Sequence, residues 1–158
     1  MTSRPAEVTR RGDAVLAVSR SIAASPAEVF AAATDWPGQG RWIPLTRVRV
    51  VRGDGRSPGS VVEAFTGIGP IGVLDVLEIV RFAPPHTVEI VHIGRWLRGP
   101  GEFTFAPEPD GGTRFHLREW LHLPGGRPGR VVWALVRPVF EYGARRSLAV
   151  FARRVLPT

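Results

Sequence analysis

Three ionisable side chains lie in strand-like segments whose alternation points them towards apolar surroundings: Asp75 in V-L-D-V-L, His92 in V-H-I-G and Glu119 in L-R-E-W-L. Around Glu119, residues Phe115, Leu117, Leu121 and Leu123 share its face, while Arg114, His116, Arg118, Trp120 and His122 point the other way. Thr87, Glu89 and Arg95 mark a wet side that leaves Val88, Ile90, His92, Gly94 and Trp96 inward. Val73, Asp75, Leu77 and Ile79 also share a face, although Leu74, Val76 and Val80 support the opposite assignment nearly as well. Folding at 83–86 sets Asp75 near Gly94, and folding at 109–113 sets Phe103 opposite Glu119, so the three polar groups face one apolar region. Asp75 and Glu119 are then three strand spacings apart, roughly 14 Å on a flat sheet and less on a curled one, a span that suits a bound molecule. An unpaired buried carboxylate is costly, so an inward Glu119 must be protonated, paired with His92 or an arginine, or in contact with cavity water. In an apolar hollow such a set suits acid-base catalysis of a cyclisation or dehydration, with Glu119, His92 and Asp75 as the catalytic candidates. The same three residues could equally orient a ligand, or form an ion pair that only organises the core.

Other patterns that suggest chemistry fail on context. Gly67, Gly69 and Gly72 spell G-x-G-x-x-G, but Pro70 interrupts the motif and V-L-D-V-L-E-I-V after it reads as a strand, where a dinucleotide phosphate needs a helix amino terminus. A flexible hairpin loop that could gate the hollow is the better reading. His86, His92, His116 and His122 lack metal-ligand spacing, no G-x-S-x-G elbow supplies a serine nucleophile, and no metal or cofactor is expected.

The elements that must carry these residues are punctuated clearly. Ser25, Pro26 and Glu28 open a helix with a capping box, Val29, Phe30 and Ala33 share its face, and Pro37 stops it near Asp35. One further helical turn fits around Arg41 and Trp42. With Ala14 to Ile22 as the first strand, the segments 46–52, 60–66, 73–82, 86–98, 102–106 and 114–123 make seven antiparallel strands in one meandering sheet, the 86–98 strand ending at Gly99-Pro100-Gly101. After a loop at 124–129, Trp133, Val136, Phe140, Ala144, Leu148, Phe151 and Val155 recur at helical spacing. Pro138 inside this pattern should kink or divide the helix, and the stripe should be buried across the sheet's concave side.

Composition sets the outer bounds. The 158 residues suit one domain, read as residues 12–156 behind a flexible segment 1–11. No apolar run reaches membrane-spanning length, and the expectation is a cytoplasmic protein. There is no cysteine, which removes disulfides and thiol chemistry, and all 21 basic residues are arginine, which removes lysine Schiff bases. The net charge of +7 is concentrated in the closing helix and reads as a solvated face, with no recognition motif to support nucleic-acid binding.

The capped helix carrying S-P-A-E-V-F, the D-W-P-x-x-x-R-W-I-P segment, six further antiparallel strands and the long closing helix together resemble the START-related helix-grip superfamily over residues 12–156. T-G-I-G-P-I-G, H-I-G-R and W-A-L-V-R-P are similar to an actinobacterial branch, close to bacterial polyketide cyclases and lipid-transport domains. The resemblance implies an α+β helix-grip fold, β-α-α-β6-α, whose curved sheet wraps the C-terminal helix around a cavity for a small hydrophobic molecule. A carrier or sensor is expected first, a polyketide cyclase or dehydratase second, and a protein-interaction domain third. Candidate ligand contacts are Asp75, His92 and Glu119, the tryptophans Trp42, Trp96 and Trp133, which either pack in the core or stack on a ring, and Phe103, Phe105, Leu117 and Phe140. Trp120, Val91, Ile93 and Leu97 would be exposed apolar groups on the outer face, for which a homodimer is the milder explanation.

Overall fold

The structure, a computed structural model, describes residues 12–155, so the segment expected to be flexible and residue 156 lie outside the described residues. Seven antiparallel strands form one sheet: β1 (Ala14–Ile22), β2 (Thr46–Arg52), β3 (Val61–Ile68), β4 (Ile71–Ala83), β5 (Thr87–Ile93), β6 (Arg98–Pro107) and β7 (Thr113–Leu121). Their order is β1-β7-β6-β5-β4-β3-β2. β2 to β7 are a meander, but β1 pairs with β7 across the sheet rather than with β2. The connection that carries the chain between the two edges holds the first helical elements.

Helix α1 (Pro26–Ala33) starts as its sequence dictates. The Ser25 hydroxyl accepts from the Glu28 amide, the Glu28 carboxylate accepts from the Ser25 amide at 2.9 Å, and Pro26 occupies the first turn. Thr34 caps its end, and a 3-10 turn follows at Trp36–Arg41, slightly earlier than expected, with the Asp35 side chain accepting from the Gly38 amide. Val29, Phe30 and Ala33 are buried against the sheet.

The β5–β6 hairpin differs from its sequence reading. Gly99-Pro100-Gly101 is not a turn; it lies within β6, and the chain reverses at 94–97 with Ile93 opposite Arg98. Gly99 is at φ +122, and a Cβ there would sit 1.9 Å from the Trp120 carbonyl, so close backbone approach, not chain reversal, explains this glycine. The β6–β7 register is also shifted by two: Gly101 faces Glu119 and Phe103 faces Leu117. The hairpin closes tightly, Pro107 pairing with Thr113 and the Glu108 amide donating to the Gly112 carbonyl at 2.8 Å. The G-x-G-x-x-G segment is a two-residue hairpin, Ile68 opposite Ile71, with Gly69 at φ +58.

Helix α2 (Gly126–Val155) runs as one uninterrupted helix through Pro138, so the proline does not divide it, and its start absorbs most of the expected 124–129 loop. Its buried residues are Ser147, Leu148 and Phe151, all in the last third. There it meets an aromatic cluster: Phe115 stacks on Phe105 at 4.7 Å and contacts Phe151 at 5.6 Å, Phe105 contacts Phe30 at 5.2 Å, and Trp42 contacts Phe151 at 4.9 Å. This half of the molecule is solidly packed. The outer face of the sheet instead carries cross-strand pairs such as Arg49–Glu63 at 2.7 Å and Arg81–Glu89 at 3.2 Å.

Candidate functional site

The inner face of the sheet is not filled along its whole length. Where α2 crosses it with Gly143, Ala144 and Ser147, the small side chains leave a hollow of about 600 Å³. Its walls are Leu16 of β1, Val73, Asp75 and Leu77 of β4, Ile90 and His92 of β5, Phe103 of β6, and Phe115, Leu117, Glu119 and Leu121 of β7. Trp42 to Thr46 close one side, and Val139 and Phe140 of α2 another. The hollow is open to solvent, because several wall residues are also exposed: Leu45 at 62%, Val73 at 45% and Val139 at 71%. The β3–β4 hairpin tip, with Ile68 and Ile71 exposed, and Leu135 on α2 add further exposed apolar surface.

Asp75, His92 and Glu119 come together on this wall. His92 Nδ1 lies 2.9 Å from both Asp75 carboxylate oxygens. Its Nε2 lies 3.6 Å from Glu119 Oε1, an ion pair rather than a hydrogen bond. The imidazole therefore occupies the span between the two carboxylates where a bound molecule was expected. Sheet curvature and side-chain reach together cover the three strand spacings that a flat sheet would make roughly 14 Å. Asp75 faces inward, which settles the ambiguous alternation of β4.

Burial of the ring works against its protonation, but the Asp75 hydrogen bond and the adjacent Glu119 carboxylate outweigh it, and the His92 pKa is raised to about 10. The protonated ring thus sits between two acidic side chains. Thr46 and Thr66 add a second polar spot, their hydroxyls 2.8 Å apart. The Trp42 Nε1 and His92 Nε2 hydrogens are buried without acceptors. Among the described residues no set of three His, Cys, Asp or Glu side chains is placed to hold a metal ion.

Of the remaining candidates, Trp42, Phe103, Leu117 and Phe140 line the cavity and three do not. Trp96 sits in the 94–97 turn, 60% exposed, with the Arg95 guanidinium 5.4 Å from its ring; the displaced turn took it off the inner face. Phe105 points inward, but two residues further along β6 than Phe103, so it belongs to the packed aromatic cluster. Trp133 packs on Phe140 at 5.7 Å, one side chain back from the hollow. Leu16, Ile43, Thr46, Thr66 and Val139 are wall residues that sequence reading did not single out. Alternation in β1 was the available signal for Leu16. Of the four apolar residues expected on the outer face, Ile93 is exposed, Val91 and Trp120 are half-buried, and Leu97 lines the cavity instead.

A curved seven-stranded antiparallel sheet gripping a long C-terminal helix, with a hollow between them, defines a helix-grip fold of the START-related superfamily. The polyketide cyclase / dehydrase and lipid transport family matches residues 13–156, and the chain belongs to that family. No curated protein matches it in sequence. Among solved structures it is similar to protein TTHA0849 from Thermus thermophilus, at 19% identity and a TM-score of 0.75 over 90% of this chain and 97% of the other. The Zhui aromatase/cyclase from a Streptomyces strain is similar at 12% identity and a TM-score of 0.74, over 90% and 93%. A START superfamily protein from Mycobacterium smegmatis matches at 14% identity and a TM-score of 0.71, over 90% and 99%. At these identities the likeness is one of fold. No described helix is long and apolar enough to cross a membrane.

Proposed function

We propose that this protein binds a small hydrophobic molecule, lipid-like or polyketide-like, in the cavity between sheet and α2, and acts as its carrier or sensor. The observation that carries the reading is the open hollow of about 600 Å³, apolar except for one ion cluster and a few hydroxyl and amide groups. Small-molecule sites have this character, roughly 300–1,000 Å³ of mostly apolar wall with a few convergent polar groups. Trp42, Phe103, Leu117 and Phe140 would grip the apolar body, while Asp75, His92 and Glu119 orient a polar end.

The chemistry of His92 favours binding over catalysis. A general base works best with a pKa near the operating pH, whereas a ring with a pKa of about 10 already holds its proton. A cyclase or dehydratase here would use Glu119 or Asp75 as the base and the imidazolium as the acid. Native mass spectrometry of protein purified from its source cells tests both readings. A reproducible bound metabolite is expected, unchanged on incubation. Conversion of that metabolite would establish the enzyme instead, and a protein that retains nothing and fails to bind the neutral apolar dye phenylnaphthylamine would refute the cavity reading.

A further inference from the structure

The charge of the cavity runs opposite to that of the chain. Twenty-one arginines give the protein a net charge of +7, yet none lines the hollow, where the ionisable groups are Asp75, His92 and Glu119. Two acidic side chains flank one ring, so the balance of charge in the hollow is acidic. The ring is not shared evenly: Asp75 accepts from Nδ1 with both oxygens at 2.9 Å, whereas Glu119 has only the 3.6 Å contact. Of the donors on the wall, the ring nitrogens His92 Nε2 and Trp42 Nε1 are buried, and only neutral hydroxyl and amide groups remain, while the Glu119 side chain is 17% exposed.

We propose that the cavity selects apolar molecules whose polar end donates a hydrogen bond to Glu119, an ammonium or a hydroxyl, and rejects molecules that end in a carboxylate or phosphate. This rests on the reading that the hollow holds an apolar guest, and adds which guests it takes. An anion drawn into the hollow loses its hydration, meets a like charge and finds no arginine to pair with. A donor completes the Glu119 carboxylate, which has only that 3.6 Å contact, and an ammonium also offsets the acidic balance.

The test uses three probes with the same alkyl chain, dodecylamine, dodecanol and dodecanoate, each titrated at neutral pH against protein-bound phenylnaphthylamine. The amine and the alcohol should displace the dye at concentrations at least about tenfold below those needed for dodecanoate, roughly a 1.4 kcal/mol preference. The ranking is demanding, because the protein's overall positive charge attracts the anion to its surface. In Glu119→Gln the amine should lose most of its advantage over dodecanoate. If that variant does not fold, the wild-type ranking alone decides. Dodecanoate competing as well as the other two would overturn the donor preference while leaving the guest-binding reading in place. Dye binding with no displacement by any of the three would likewise overturn the preference, and no binding of dye or probes would overturn both.

Discussion

With Asp75 on one ring nitrogen and Glu119 facing the other, His92 keeps its proton far above the pH at which a free imidazole loses it. A folded-state pKa raised from 6.5 to about 10 contributes stability that is fully present below the lower value and is lost as pH rises through the upper one. The melting temperature should therefore fall between pH 7 and pH 10, and His92→Gln should flatten that slope, which thermal melts at a series of pH values would show. An equal slope in the variant would mean that the ring does not titrate there. Strand alternation was enough to turn His92 and Glu119 inward, because period two reports which face a side chain takes, but it left Asp75 ambiguous beside Leu74, Val76 and Val80. It does not report position along the strand, and so Phe105 and Phe103, on one face of β6, were indistinguishable in sequence although one is packed solid and the other lines the hollow.

Local rules predicted the start of α1 closely, and their worth can be measured. Ser25→Ala removes the hydroxyl half of the capping box and should cost about 1 kcal/mol in urea denaturation, without altering dye binding. The opposite pattern is expected where α2 crosses the cavity. Ala144→Phe adds bulk towards the hollow, so dye binding should fall by an order of magnitude or more while the melting temperature stays within a few degrees of wild type. Punctuation by glycine and proline was less informative in β6. Gly99-Pro100-Gly101 has the composition of a turn, but the requirement it meets is room beside the Trp120 carbonyl, a long-range constraint that no local window contains. The same displaced turn removed Trp96 from the inner face.

At the scale of the whole molecule, one half is core and the other half cavity. Phe105→Ala would open space within the aromatic cluster and should cost about 3–5 kcal/mol, measurable by chemical denaturation. Truncating Phe140 at the cavity wall should cost far less, since its ring is already 48% exposed. The seven-stranded count was readable from segment lengths and turn spacing, and the α+β helix-grip class from the resemblance carried by S-P-A-E-V-F and D-W-P-x-x-x-R-W-I-P. The pairing of β1 with β7 was not, because it joins residues about a hundred positions apart and leaves no local trace.

The distribution of burial along α2 carries over to how the folded chain meets a protease. Its anchoring residues, Ser147, Leu148 and Phe151, sit in the last third, while Val131, Val132, Leu135 and Val139 are exposed. Backbone held by so few buried groups opens locally far more often than the sheet does, and cleavage follows such openings. Trypsin cuts after arginine except before proline, and Arg127 and Arg137 are each followed by proline, which leaves Arg130 as the susceptible bond in that stretch. Within α2, limited digestion should therefore nick first between Arg130 and Val131.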